Sequence, residues 1–378
     1  KSFIKIIIFS KLTLVFSCVI LYLLSLVTIM KKIFFFAASI ISLFILQLSI
    51  FSNSNSEENN SKSFSNDSGV LSLMYHRFNE NKYPSTNIRM DIFNEQMKTI
   101  KNLEYEFYDP KLFVKEFDKV KEKKKILITI DDGFQSFYKE AWPYLKKNNI
   151  PFILFISTEP VGRNGYMSWE QILEIENSKL GVIGHHSHTH EYLIDMTNEN
   201  FINDIETASR IFKDKLGYVP NIFSYPFGEY SKFMKDYISK KFSIAFGQHS
   251  GVIDLNKDKY ELPRFPINEK YGDLKRFKSV INYSPLEYQI ILPEQKKIND
   301  QNNPPDLVIK FFKEQKNIKN ITCYSNDGGE WKKTNLNFEQ NFMKIKFNDK
   351  FIPRRGRINC SLNDNGKWRW LGTQFTIR

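Results

Sequence analysis

Two short segments hold the residues best suited to chemistry. Thr129-Ile130-Asp131-Asp132-Gly133 closes an apolar run, and His186-Ser187-His188-Thr189-His190 follows further along the chain. Two adjacent carboxylates and two histidines four apart are the inventory of a mononuclear metal hydrolase. Adjacent residues at a strand end can diverge, one carboxylate turning to a metal while the other stays free as a base. Gly133 permits the tight turn that brings backbone close to a substrate. The spacing of His186 and His190 predicts one helical turn, from which both imidazoles reach a single ion.

These residues need elements to position them. Ile126 to Ile130 is short, rich in β-branched residues and bounded by Lys121 to Lys125 and Gly133, so it reads as a buried strand ending at Asp131. Leu71 to Tyr75, Phe152 to Ile156, Val182 to Gly184 and Ile222 to Tyr225 read as further strands. Ile92 to Leu103, Ser136 to Lys147, Trp169 to Ile175 and Phe201 to Leu216 read as helices. Alternating strands and helices, with candidate site residues at strand C-termini, imply a parallel α/β barrel.

The segment from Val70 to about Asn282 resembles the polysaccharide deacetylases of carbohydrate esterase family four. The family's first motif, T-F-D-D-G, matches Thr129 to Gly133 with Ile130 for Phe. The second, H-S/T-x-x-H, matches His186, Ser187 and His190. The third, R-x-P-x-G/Y, is met in part by Ser224-Tyr225-Pro226-Phe227-Gly228, where Ser224 replaces arginine. With Leu73-Met74-Tyr75-His76-Arg77, this form looks most like the extracellular poly-N-acetylglucosamine deacetylase branch. The resemblance implies a distorted seven-stranded (β/α) barrel.

Carried over by position, the resemblance implies Asp132, His186 and His190 as metal ligands and Asp131 as general base. It implies a divalent metal, zinc foremost, with cobalt, nickel or manganese as alternatives, and an oxyanion held by a backbone N–H, assigned to Tyr225. An acid must protonate the departing amine. We assign that role to His249, in Phe246-Gly247-Gln248-His249, although the family's late Leu-x-His motif is not cleanly present. His76 is assigned to the substrate pocket or, as an equal alternative, to the core. His185 and His188 read as packing or solvent neighbours of the ligands. Arg264, in Glu261-Leu262-Pro263-Arg264-Phe265, is the candidate replacement for the missing guanidinium, the alternative being a surface arginine after a turn proline.

Composition sets the outer bounds. A chain of 378 residues, 42% hydrophobic, is long enough for two folded units. The net charge of +12 is spread along the chain without a recognisable nucleic-acid module, so nucleic acid is not an expected partner. The charge suits an anionic envelope surface or an acidic polymer instead.

Phe3 to Ile29 and Ile33 to Phe51 are apolar runs flanking Met30-Lys31-Lys32. We read Met30 as the true start, 1–29 as a spurious extension and 30–51 as a signal peptide or uncleaved anchor; a two-helix membrane hairpin is the rival. Residues 52–69, rich in Ser and Asn, read as a flexible tether. After 70–282, residues 283–378 read as a small all-β domain, with strands at Leu307 to Phe312, Ile318 to Tyr324, Met343 to Phe347 and Trp368 to Ile377. Cys323 and Cys360 fall there and are expected to form a disulfide in an exported protein. Trp331, Trp368 and Trp370 offer a sugar-stacking platform, though core packing fits at least one of the last two better.

The expected activity is metal-dependent hydrolysis of N-acetyl groups from an amino-sugar polysaccharide, in an exported, envelope-anchored or extracellular enzyme. The alternatives are an O-deacetylase and a carbohydrate-binding protein on an inactive barrel. The intact Asp131, Asp132, His186 and His190 disfavour the last.

Overall fold

Seven short parallel strands run in the order β7-β1-β2-β3-β4-β5-β6: β1 (Leu71–Tyr75), β2 (Lys125–Ile130), β3 (Phe152–Ile156), β4 (Gly181–His185), β5 (Ile222–Ser224), β6 (Ile244–Phe246) and β7 (Phe265–Pro266). The structure is a computed structural model that describes residues 69–117, 125–255, 257–312 and 318–378. The proposed signal or anchor, residues 52–68 of the tether and Lys121–Lys124 lie outside the described residues. No helix among the described residues is long and apolar enough to cross a membrane.

The two edges of the sheet approach each other through the chain just before β7. Leu262 bridges Phe246 in parallel, and its amide donates to the Ala245 carbonyl (2.9 Å). The result is the expected distorted (β/α) barrel. Its strands read as continuous apolar runs because parallel strands are covered on both faces: Ile126, Leu127, Ile128 and Ile130 have no exposure at all.

Helices α1 (Met90–Asn102), α2 (Pro110–Lys115), α3 (Trp142–Lys147), α4 (Trp169–Asn177), α5 (Asn198–Leu216), α6 (Lys232–Ile238) and α7 (Leu274–Val280) accompany the strands. In α5 the apolar stripe Phe201, Ile205, Ala208 and Phe212 is buried, the spacing of a core-facing helix. Thr197 caps its start and Gly217, at φ 83°, its end. The helix expected over Ser136 to Lys147 divides into a π-helical turn, Phe137–Ala141, and α3. Pro143 lacks the N–H that a continuous helix requires.

The C-terminal region forms two sheets on a common apolar core that includes Leu307, Met343, Ile358 and Phe375. In the first, β8 (Ser284–Pro285), β17 (Lys367–Ile377), β16 (Arg355–Asp364), β12 (Thr322–Ser325) and β13 (Lys332–Lys333) lie in that order, with β10 (Lys297–Ile298) also on β17. The second runs β9 (Ile290–Leu292), β11 (Leu307–Lys310), β15 (Phe342–Lys346), β14 (Asn335–Glu339). Cys323 and Cys360, paired across β12 and β16, form a disulfide.

Residues Asn66–Arg378 are one compact unit, and this sheet packs against the barrel. At Gly372 a Cβ would meet the Ser250 carbonyl at 2.0 Å, so only glycine fits that approach. Trp370 stacks on Tyr283 (5.1 Å, 9°) and packs against Phe265. Trp331 and Trp368 are close to half exposed.

Candidate active site

Asp131 and Asp132 leave the C-terminal end of β2, and the left-handed backbone of Asp132 (φ 74°) sends the two carboxylates in different directions. Asp132 Oδ1 lies 3.3 Å from His186 Nε2 and 3.0 Å from His190 Nε2. Asp132, His186 and His190 form the metal-capable cluster found among the described residues, their ligand atoms all within 4.8 Å of one another. Asp132 Oδ1 and His186 Nε2 are buried without a hydrogen-bond partner. Buried polar atoms are rarely left unsatisfied, so a divalent cation fits this donor set. His186 Nδ1 donates to the Ser224 carbonyl (2.7 Å), which leaves Nε2 as the lone-pair atom facing the site. Burial opposes the Asp132 charge, yet His190 and His186 hold its carboxyl well below the usual range.

The two histidines are not on a helical turn as their spacing suggested. They lie on a loop after β4 in which Ser187 (φ 71°) and His190 (φ 56°) are left-handed. The reason is Asp204, buried on the inner stripe of α5. Its carboxylate accepts from the His188 amide (2.8 Å), the Thr189 amide (3.0 Å) and the Thr189 hydroxyl (2.7 Å). The His190 amide donates to Ser187 Oγ (3.2 Å). Loop amides are thus satisfied by side chains rather than by helical carbonyls. An aspartate inside an apolar stripe was the available signal for this anchor.

Asp131 faces Arg264. Both side chains are fully buried and joined by two parallel bonds, Nη1–Oδ1 at 2.7 Å and Nη2–Oδ2 at 2.8 Å. Arg264 also donates to Ser224 Oγ (2.8 Å), Thr129 Oγ1 (3.1 Å) and the Gly247 carbonyl (2.9 Å). Ser224, small and hydroxylated, therefore contacts the guanidinium that reaches the base from the neighbouring segment. Burial raises the Asp131 pKa, but Arg264, His186 and His76 together outweigh it and hold the carboxyl below its ordinary range. Every polar group of Arg264 is engaged, so it faces the base and not a substrate.

The structure separates His76 from His249. His76, just after β1, sits with Nε2 3.9 Å from Asp131 Oδ2; burial lowers its pKa, opposed by the charges of Asp132 and Asp131. His249 lines a pocket with Tyr230, Pro263, Tyr288 and Trp370, where its charged neighbours are Glu261, Lys296, Arg264 and Lys235. Burial pushes its pKa down to about 4. No hydrogen bond or ion pair among the described residues links His249 to Asp131, Asp132, His186 or His190, so the structure does not bring the expected acid together with them. The chain turns away from the site after Gly247, and Arg264 lies between.

The expected oxyanion donor is not free either. The Tyr225 amide donates to the Phe246 carbonyl (3.0 Å), extending the β5–β6 ladder, and its fully buried ring packs on Phe223 and Tyr230. The following residues make a turn closed by Gly228 N–H to Tyr225 O (2.9 Å), with proline second and Phe227 at φ 59° third, the pattern of a type II turn. That bond does not use the Phe227 N–H, and the Phe227 ring lies 4.8 Å from that of His190. Asp132, Ser187, His190 and Phe227 thus concentrate four positive-φ residues around one point, as strained backbone does at functional sites. His185 is packed among Phe212, Phe223 and Phe242, its pKa lowered to about 3 by burial. His188 Nδ1 lies 2.8 Å from Thr158 Oγ1.

Residues 118–242 match the family model described as polysaccharide deacetylase. The chain is 24% identical over 192 residues to the poly-beta-1,6-N-acetyl-D-glucosamine N-deacetylase of Staphylococcus aureus, 47% of this chain and 66% of that protein. A Bacillus subtilis relative is 27% identical over 165 residues, 42% of this chain and 57% of its own length. The chain thus spans less than two thirds of these relatives. Among solved structures, IcaB from Ammonifex degensii superposes with a TM-score of 0.50 at 25% identity, covering 57% of this chain and 97% of that one. The Streptococcus pyogenes deacetylase PplD, in complex with acetate, gives 0.52 at 18% identity, 57% and 99%, a likeness of fold.

Proposed function

Because the chain belongs to the polysaccharide deacetylase family, we propose that it is a metal-dependent N-deacetylase of an amino-sugar polymer of the poly-N-acetylglucosamine kind. The observation that carries this reading is the pair of diverging carboxylates, Asp132 toward two histidines and Asp131 locked on buried Arg264.

Asp132, His186 and His190 would hold the ion. A zinc ion bound there would polarise the acetamide carbonyl and bring the pKa of a water to about 7. Asp131, kept ionised and aimed by Arg264, whose guanidinium Thr129 and Ser224 hold in turn, takes the proton of the attacking water. The Phe227 N–H is the backbone donor that meets the developing oxyanion. The C–N bond breaks only if nitrogen gains a proton, because an amide anion does not leave at neutral pH. His76, beside Asp131, supplies that proton, and acetate and the free sugar amine are released.

We also read the protein as exported and held at or released from the cell envelope, on the apolar runs before residue 52 and the Cys323–Cys360 disulfide. Domain limits of 70–282 for the barrel and 283–378 for the β-domain belong to the same proposal.

The test is acetate release from β-1,6-linked N-acetylglucosamine oligomers and from acetylated xylan, each with EDTA and with restored zinc. Zinc-dependent release from the former is the expected result. Release from xylan alone would assign an O-deacetylase, and release from neither would leave a sugar-binding role.

A further inference from the structure

The β-domain reaches the catalytic turn directly. Arg354 and Arg355, at the start of β16, converge on Glu229, whose side chain is 1% exposed and which follows Gly228. Arg354 donates from Nε (2.8 Å) and lies at 2.7 Å through Nη2 to Glu229 Oε2; Arg355 Nε donates to Oε1 (2.8 Å). Arg354 Nη1 also bonds Asp195 (2.8 Å), and its guanidinium covers the Tyr192 ring at 3.6 Å. The other face of Tyr192 stacks on Phe227 (4.2 Å, 25°), and Phe227 packs on His190 at 4.8 Å. Arg355 lies 5.7 Å from the Phe227 ring, and Gln374 of β17 donates to the Gly228 carbonyl (3.4 Å).

A continuous column therefore runs from the β-domain through Tyr192 and Phe227 to a metal ligand, and an ion pair clamps the turn from the same side. The turn needs outside support, because Phe227 holds a left-handed backbone that a residue with a Cβ rarely adopts unless its surroundings impose it. Glu229 is a buried carboxylate, so without its guanidinium partners it would leave its place and carry the turn with it. We propose that Arg354 and Arg355 are positioning residues: they fix the Tyr225–Glu229 turn so that the Phe227 N–H points at the reacting carbonyl. The β-domain thereby completes the active site rather than merely accompanying it. This inference rests on the deacetylase reading of the same site.

The experiment uses the full chain with Arg354→Gln, Arg355→Gln, the double variant, and Arg355→Lys. The first readout is amide hydrogen exchange across residues 225–229 in metal-free protein, which is independent of activity. The double variant should exchange there at least about ten-fold faster while β2 stays unchanged. The second readout is steady-state kinetics on N-acetylglucosamine oligomers with zinc. kcat should fall by roughly 10- to 100-fold while KM moves less than about three-fold, since an oxyanion donor acts mainly in the transition state. Zinc retained after dialysis should match wild type. Arg355→Lys, which keeps one charge and one contact, should be intermediate and serves as the measured variant where the double does not fold.

Unchanged exchange at 225–229, or kcat within about two-fold of wild type, overturns the proposal in favour of simple domain adhesion. Should wild-type protein release no acetate, the deacetylase reading fails, and the exchange measurement still decides whether the arginines hold the turn.

Discussion

Replacing Arg264 by methionine tests the central electrostatic element of the site. Arg264 and Asp131 are both fully buried, and the guanidinium makes five hydrogen bonds to the surrounding groups. Removing one partner of a buried pair costs roughly 3–5 kcal/mol, because the other charge is left uncompensated. For a large domain this corresponds to a melting temperature lower by roughly 10 °C at neutral pH. The pH dependence separates the charge effect from lost packing. In the wild type the Asp131 pKa lies below its ordinary 3.8, so the pair contributes stability above that value and loses it as the pH falls through the folded pKa. In the variant burial acts without Arg264 and raises the folded pKa. The carboxyl is then tolerated when neutral, and the penalty grows as the pH climbs above about 4. Thermal melts in EDTA, so that no metal substitutes for the lost cation, should show a gap from wild type that is narrower at pH 4 than at pH 7. Adding Asp131→Asn to Arg264→Met should recover most of the pH-dependent part without restoring turnover. A gap equal at both pH values, or a double variant no more stable at pH 7 than the single, would refute the reasoning.

The remaining predictions concern the individual roles. His186→Ala or His190→Ala should lose zinc on dialysis while circular dichroism stays native, since a three-ligand catalytic site contributes little to the fold; full zinc retention by both would remove them as ligands. Asp131→Asn should keep zinc and lose most turnover, whereas Asp132→Asn should lose both, and the opposite pattern of zinc content would exchange the two roles. His76→Ala should impair acetamide hydrolysis far more than hydrolysis of an activated aryl acetate, whose phenolate leaves without a proton, and His249→Ala should affect both little; equal losses on the two substrates would deny His76 the acid role. Reducing Cys323–Cys360, separated by 37 residues, should destabilise the β-domain by roughly 3–4 kcal/mol in the chain-entropy model, read as an earlier melting transition, and no shift would mean that packing alone holds the two strands together.

What could be read in advance divides along a physical line. Asp131, Asp132, His186 and His190 were legible because strand ends hold neighbours in sequence together in space, and a metal hydrolase needs few other groups. Arg264 was legible only through the resemblance, which implies an arginine at the base where this chain has Ser224, and a surface arginine was an equal alternative. The N–H proposed for the oxyanion was not legible, because which N–H is free depends on ladder register: pairing with Phe246 consumes that of Tyr225, and a turn leaves that of Phe227 outside its own bond. His76 and His249 both follow strands, and only the path of the chain past Gly247 sends the latter into another pocket. Strands β14 and β16 escaped notice because their inward residues, such as Ile358, Cys360 and Leu362, alternate with Arg357, Asn359 and Ser361, a half-buried pattern weaker than the continuous runs of the barrel. Arg354 and Arg355 look from sequence like an exposed basic pair, because nothing local announces that their acid, Glu229, lies 125 residues before Arg354, on the turn after β5. Local sequence thus specified the chemistry of the site, whereas the groups that aim it, Asp204 for the histidine loop and the two arginines for the catalytic turn, depend on contacts that exist only once the barrel and the β-domain have closed on each other.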